Sequence, residues 1–164
     1  MTRKRVLSIF ALIFNLAIVG LGAYAFALAM FPITEGKDFA YLHSFTHISN
    51  YLMMLIALMC IPVNIKTIAK PESETPIFFR VMKLLATTCV GITLIVVLTW
   101  LGPRMGYAEL FKGMDLIIYH AIIPGLAIIS YIFFENTTRT KYKHTWWILI
   151  PLVAYGAVYY LCNY

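Results

Sequence analysis

Two stretches of the sequence hold side chains that could do chemistry. The first, between residues 43 and 50, combines imidazoles, hydroxyls and an amide: His43, Ser44, Thr46, His47, Ser49 and Asn50. The second contains Asp115, Tyr119 and His120. A hydroxyl becomes a nucleophile when a neighbouring base accepts its proton, and histidine, which titrates near neutrality, suits that role. Together the two stretches therefore contain the groups that a hydroxyl-nucleophile hydrolase needs.

Two pairs of residues in the first stretch have a spacing that would place them on one face of a helix. Thr46 and Asn50 are four residues apart, as are His43 and His47, so on a helix each pair shares a face. A threonine within a membrane helix is most often a packing residue, and a single histidine near the membrane surface is most often a hydrogen-bonded surface group. The hydrolase interpretation of Thr46 therefore depends on a base supplied by another helix.

The second stretch offers that base. Pro124 follows His120 by four residues and has no N–H, so the carbonyl of His120 loses its helical partner. This predicts a kink beside His120 and room for a cavity. Tyr119 or Asn50 could donate to an oxyanion. Asp115 could orient His120 only if the helix deviates locally, because five residues is not an ideal same-face spacing.

The composition indicates which elements position these residues. Of 164 residues, 62% are hydrophobic and 12% are charged, and the mean hydropathy is +0.83. A soluble domain carries about 25% charged residues, so this chain requires a bilayer around it. Segments near the roughly 20 residues needed for a span predict a single all-α transmembrane domain over residues 1–164. Its five helices are predicted at 6–30, 39–64, 77–101, 113–135 and 146–163.

Polar and helix-breaking residues mark the breaks between these segments. Asp38 is predicted to cap the second helix. Thr75 is predicted as the N-cap of the third, with Pro76 at its first position, and Gly102-Pro103 as its end.

Orientation follows from the basic residues. The N-terminal tail and the connections 65–83 and 136–145 hold ten of the 13 Lys and Arg, and the opposite side holds three. The positive-inside rule therefore predicts a cytoplasmic N-terminus and an external C-terminus. The formal net charge of +6 then reflects topology and anionic lipid, so we expect no nucleic-acid partner.

On these boundaries Thr46 and His120 each lie about seven residues from the outer end of their helix, roughly 10 Å deep. This matched depth predicts a shared site between the second and fourth helices. We expect an apolar cavity open to the outer leaflet, with Thr46, Asn50, Tyr119 and His120 as its polar groups.

Three segments resemble a family of bacterial integral membrane proteins related to the eukaryotic androgen-induced protein family. Residues 45–50 are similar to its F-T-x-x-S-N stretch, residues 120–124 to its H-x-x-x-P stretch, and residues 147–155 to its W-x-x-x-P-x-x-x-Y segment. Members of the androgen-induced family are threonine hydrolases that cleave fatty acid esters of hydroxy fatty acids within the membrane. The resemblance implies that Thr46 is the nucleophile and His120 its base, in a bacterial cytoplasmic membrane. Relatives usually have six spans, whereas this sequence predicts five.

The first interpretation is thus an intramembrane hydrolase of a lipid ester that needs no cofactor, with His43, His47 and Pro124 lining the substrate pocket. A metal or haem protein is the second, because His43 and His47 have the one-turn spacing of helix ligands and His120 could complete a site. The third is a non-catalytic lipid-binding or transport protein, which would keep the cavity without a Thr–His pair.

Overall fold

The computed structural model describes residues 2–34 and 44–136, together with residues 146, 149, 150, 153, 154, 156 and 157. Within these residues the chain is helical and contains no strand, which confirms the predicted all-α fold. The helices are α1 (Arg3–Thr34), α2 (Phe45–Ala69), α3 (Ile77–Met105), α4 (Tyr107–Leu110) and α5 (Met114–Glu135). Most of the fifth predicted span lies outside the described residues, and its seven described residues are helical.

Four of these helices are long and apolar enough to cross a membrane. Stretches of 28, 25, 29 and 22 residues in α1, α2, α3 and α5 meet that condition. Their surface is apolar and part of their interior is polar: Ile95 and Phe133 are 61% and 65% exposed, whereas Asn15 and Asn50 are buried. Lipid, and not water, is the solvent that suits such a surface, so the chain is a membrane protein.

The start of α2 differs from the prediction. Ser44 has an extended backbone (φ −64°, ψ 148°), and its Oγ accepts a hydrogen bond from the backbone N–H of His47 at 3.4 Å. A serine in this position is an N-cap, so α2 begins at Phe45 and not at Phe39. The predicted cap, Asp38, lies outside the described residues.

The end of α3 also differs. Gly102-Pro103 does not stop the helix, which continues to Met105 and ends at Gly106, a glycine with a φ of 86°. A proline is tolerated here because the π-helical turn Val97–Leu101 immediately precedes it. The change from i→i+4 to i→i+5 bonding shifts the register of the backbone hydrogen bonds and accommodates a residue that has no N–H.

The first turn of α3 begins at Ile77, as predicted, but its N-cap residue is not the predicted one. Pro76 is the N-cap residue, and in the described part of the chain no side chain caps this turn, so Thr75 does not have the predicted role. The missing N–H of proline has little cost there, since the first N–H groups of a helix have no helical partner.

The four long helices form one bundle in which α1 and α3 each pack against both α2 and α5. The core between them contains Ile18, Met53, Val90, Tyr119 and Ile123, each essentially inaccessible. Buried alanines in all four helices allow their backbones to approach closely, as is usual in membrane bundles. This packing places the start of α2 beside the start of α5.

The threonines of α3 have mainly the packing role predicted for them. The hydroxyls of Thr88, Thr93 and Thr99 donate to backbone carbonyls four residues earlier, at 2.9, 3.3 and 2.8 Å. Thr93 also bonds Ser49 of α2 at 3.0 Å and so joins two helices. Thr87 differs, because its buried hydroxyl has no hydrogen-bond partner among the described residues.

Candidate functional site

The two chemically interesting stretches meet where the start of α2 faces the start of α5. The side-chain nitrogen of Asn50 donates to the carbonyl of Tyr119 at 3.0 Å and to the carbonyl of Thr46 at 2.7 Å. Asn50 and Tyr119 are both fully buried. The structure therefore places the segments around Thr46 and His120 side by side, with Asn50 as the polar link between them.

A missing backbone donor explains the position of Asn50. The turn Ile118–Ile122 is π-helical, and the backbone N–H of Ile123 after it bonds to the carbonyl of Ile118, five residues earlier. At that spacing the partner of the Tyr119 carbonyl would be the nitrogen of Pro124, which carries no hydrogen. The Asn50 amide supplies the donor instead. Since both of its N–H groups bond to carbonyls, Asn50 has none left for an oxyanion.

His120 is buried, and a single hydrogen bond fixes its ring. The Nδ1 atom lies 2.9 Å from the carbonyl oxygen of Leu110, at the end of α4. A carbonyl only accepts, so Nδ1 carries a proton, and in the neutral form of such a ring Nε2 is the acceptor. The ring of Phe111 meets His120 edge-on at 6.1 Å. A backbone carbonyl thus orients His120, and the orienting role of Asp115 stays a prediction.

The residue predicted as the nucleophile, Thr46, is the second residue of α2 and is half-buried. Its carbonyl accepts from Ser49 at 3.0 Å as well as from Asn50. Within the described part of the chain no hydrogen bond joins Thr46 to His120. Thr46 lies in the first turn of α2 and His120 in the second turn of α5, and their pairing stays a prediction.

A second imidazole, His47, lies beside His120 and is buried. Its Nδ1 is 2.6 Å from the Oγ of Ser44, and its ring packs nearly perpendicular to that of Tyr119 at 5.1 Å. His47 also interacts electrostatically with Asp115 and with His120. Ser44 and His47 therefore form a hydroxyl–imidazole pair within hydrogen-bond reach. The sequence did not single out this pair, because Ser44 is one of several hydroxyls in the stretch.

Aromatic rings pack closely around this second imidazole. Tyr51 meets Tyr119 at 6.0 Å and an interplanar angle of 84°, and His47 lies 6.0 Å from Tyr51. Tyr51, Leu110 and Phe111 are the members of the site that sequence reasoning missed. The apolar cavity expected between α2 and α5 remains a prediction.

The metal alternative requires at least three ligands in one place. No group of three or more His, Cys, Asp or Glu that could hold a metal ion occurs within the described residues. His43, the third member of the expected ligand set with His47 and His120, lies outside them, so this alternative also remains a prediction.

A second polar cluster lies at the opposite end of the bundle and was not predicted. Lys83, 2% exposed, forms an ion pair with Glu135 at 3.3 Å, and its Nζ donates to the side-chain oxygen of Asn15. Glu135 also accepts from Asn15 and from Ser130, both at 2.9 Å. Charged groups within spans are rare and are normally paired, and this network pairs both charges.

Lys83 counts with the predicted cytoplasmic connection 65–83 and also falls within the predicted third helix, 77–101. It lies in the second turn of α3, buried in the bundle. One feature of the sequence could have indicated this ion pair. Lys83 and Glu135 carry opposite charges and lie close to the same predicted end of two different spans.

No family model, curated protein or solved structure matches the chain. The function must therefore be inferred from the site itself and from the motifs it contains.

Proposed function

We propose that the chain is an intramembrane hydrolase that cleaves the fatty acyl ester of a lipid, with Thr46 as the nucleophile and His120 as the base. The observation that carries the proposal is the hydrogen bond from Nδ1 of His120 to the Leu110 carbonyl. It leaves Nε2 as the acceptor, which is the tautomer that a general base requires. The resemblance of residues 45–50 and 120–124 to motifs of bacterial membrane proteins related to the androgen-induced threonine hydrolases supports the assignment of Thr46.

In the proposed reaction the Oγ of Thr46 attacks the ester carbonyl carbon, and its proton passes to Nε2 of His120. The tetrahedral intermediate collapses, the bond to the alcohol oxygen breaks, and the departing alcohol takes that proton. Water then attacks the acyl-threonine, again giving a proton to His120. Release of the fatty acid returns this proton to Thr46 and regenerates both groups.

The oxyanion of the intermediate needs a hydrogen-bond donor. Asn50 is committed to two carbonyls, so the hydroxyl of Tyr119, the neighbour of His120, is the proposed donor. Thr46 and His120 must approach to about 3 Å in the complex with substrate; catalytic hydrogen bonds are often longer before substrate binds. Entry of an acyl chain beside the half-buried Thr46 would provide that closure.

The prediction is tested by fatty acid release from a long-chain lipid ester by purified protein in detergent. Thr46→Ala and His120→Ala should each reduce turnover by at least about 100-fold, since each removes one member of the nucleophile–base pair. The double variant should lose little more, because such pairs are strongly non-additive. Thr46→Ser should retain part of the activity. Thr99→Ala, which removes an exposed threonine that bonds its own helix, is the matched control.

Three other results would redirect the assignment. If Ser44→Ala and His47→Ala lose turnover while Thr46→Ala stays fully active, Ser44 is the nucleophile. Because Ser44 caps α2, the thermal stability of Ser44→Ala must be compared with that of the wild type as well. Turnover that requires an added metal would favour the metal alternative. Stoichiometric binding of the ester without any turnover would favour a lipid-binding protein.

A further inference from the structure

A cavity of about 50 Å³ lies next to the Lys83–Glu135 pair, at the end of the bundle opposite the proposed active site. It is formed by the starts of α1 and α3 and the ends of α2 and α5. Its volume exceeds the 10–15 Å³ that one water molecule needs, so it has room for a small group. The polar residues that line it, besides the ion pair, are Lys4, Ser8, Asn64, Thr67, Thr75 and Arg80.

The charges around this cavity do not balance. Lys4 and Lys83 line it with one carboxylate, that of Glu135, so Lys4 is left without a counter-charge among these three groups. The carboxylate is already engaged by Lys83 at 3.3 Å. The Nζ of Lys4 donates to the carbonyl of Ser73 at 2.5 Å, and Lys4 forms no ion pair with any described carboxylate. The positive charge at the cavity therefore favours the binding of an anion.

Asn64 supplies an independent observation. It lines the cavity, and its side-chain nitrogen is buried without a hydrogen-bond acceptor among the described residues. Leaving a buried donor unsatisfied is unfavourable, so the position calls for an acceptor. A group that is both negatively charged and rich in acceptor oxygens would satisfy Asn64 and Lys4 together.

The surroundings of the cavity suggest an amphipathic ligand. Phe79, Phe134 and Val63 provide apolar walls beside the charged groups. A wider depression of about 270 Å³ between α2 and α3 shares Val63 and Phe79 with the cavity and adds one cation and one carboxylate, Lys66 and Glu74. On the predicted topology both openings lie on the cytoplasmic side.

We propose that this cavity binds a phosphate group, with Lys4 and Asn64 as the donors that hold its oxygens. Phosphate offers the negative charge and the several acceptor oxygens that the lining requires. Basic pockets between spans on the cytoplasmic side are suited to phospholipid headgroups, and free phosphate has the same chemistry. The proposal does not depend on the hydrolase assignment, because none of these residues belongs to that site.

The experiment uses delipidated full-length protein in detergent and counts bound molecules by native mass spectrometry. Titration with phosphatidylglycerol should give one tightly bound equivalent, whereas phosphatidylcholine, which carries an additional positive charge, should bind more weakly. Lys4→Gln and Asn64→Leu should each weaken the tight binding by about tenfold, a typical loss for one charge-assisted hydrogen bond. Lys112→Gln, the same charge change at an exposed residue outside the cavity, should have no effect.

Competition identifies the source of the phosphate. If millimolar inorganic phosphate displaces phosphatidylglycerol from the wild type but not from Lys4→Gln, the ligand is free phosphate. If it does not displace the lipid, the ligand is a headgroup. Phosphatidylglycerol binding that is equal in the wild type, Lys4→Gln and Asn64→Leu would overturn the proposal, because the lipid would then be bound only around the outside of the bundle. Comparable thermal unfolding of the variants excludes misfolding as the cause of any loss.

Discussion

At the scale of single residues, the Lys83–Glu135 pair illustrates how a charge is tolerated within a membrane bundle. Lys83 is 2% exposed and has both an ion-pair partner and an amide acceptor, so its charge is compensated by α1 and α5. Glu135 in turn has three donors. The energetic consequence of such a network is asymmetric: losing one partner costs far more than losing the pair.

We therefore expect Glu135→Gln to reduce the free energy of unfolding by about 3–5 kcal/mol, since it leaves Lys83 buried with its charge uncompensated. The double variant Lys83→Met/Glu135→Gln should recover much of that loss, because no charge then remains buried. The measurement is reversible unfolding in mixed detergent micelles, followed by circular dichroism.

Glu109→Gln provides the matched control. It removes the same charge from an ion pair with Lys112 at 3.7 Å, in which both side chains are about two-thirds or more exposed. Such a surface pair contributes at most about 1 kcal/mol. An equal loss in Glu109→Gln and Glu135→Gln would mean that the buried network is not the source of the effect.

At the scale of helices, the sequence predicted most spans well and their local geometry poorly. The start of α3 agrees with the prediction because Pro76 marks it, and the end of α5 agrees because its apolar run ends at Glu135. The start of α2 could not be placed, since Asp38 and Ser44 are both acceptable N-caps and only tertiary packing selects one. The end of α3 was misplaced because a glycine–proline pair normally terminates a helix, and a π-helical turn is not visible in hydropathy.

The sequence predicted several residues of the candidate site but not the hydrogen bonds that hold them. Unusual polar residues within apolar runs identified His47, Asn50, Tyr119 and His120. The bond between His120 and Leu110 was not predictable, because a backbone carbonyl has no sequence signature and α4 is a single turn. The role of Asn50 was not predictable either. It replaces the missing N–H of Pro124 after a π-helical turn, and such a turn is evident only from the structure.

The corner between α3 and α4 is the element on which the orientation of His120 depends. A Cβ atom added at Gly102 would overlap the ring of Tyr107, whose hydroxyl donates to the Leu98 carbonyl at 2.8 Å. We expect Gly102→Ala to displace Tyr107 and to loosen α4. The backbone amides of α4 should exchange with deuterium about tenfold faster in this variant than in the wild type, as measured by mass spectrometry.

Gly125→Ala is the control for that experiment, since nothing lies within 4 Å of an added Cβ there. If the hydrolase proposal holds, Gly102→Ala should also lower turnover, because Leu110 at the end of α4 holds His120. Unchanged exchange in Gly102→Ala would show that the ring of Tyr107 can move aside without consequence for α4.

At the scale of the whole molecule, the distribution of charge still favours a cytoplasmic N-terminus after one correction. Removing Lys83 from the loop count leaves 10 − 1 = 9 basic residues on the predicted inner side against three on the outer. Trp100, 55% exposed and stacked under Arg104 at 3.7 Å, then lies at the outer interface, where an aromatic belt is expected.

This topology predicts a clear labelling pattern in a variant whose native cysteines are replaced by serine. A membrane-impermeant maleimide added to intact cells should label Lys112→Cys, whose position is exposed on the predicted outside. It should not label Glu72→Cys, which is exposed between α2 and α3, until the membrane is permeabilised. The reverse pattern would invert the orientation and place the phosphate cavity outside.

The ion pair that joins α3 to α5 also imposes an order on biogenesis. Translation delivers Lys83 to the insertion machinery well before Glu135 has been synthesised, so α3 must enter the bilayer with an uncompensated cation. A lysine at the centre of a span costs about 2.5–3.5 kcal/mol on insertion scales, and less near a helix end. Until α5 arrives, α3 is stabilised by Asn15 of α1 and by lateral packing on α2. The bundle of the four long helices is therefore completed by α5, and a nascent chain arrested before Glu135 would be a natural substrate for membrane quality control.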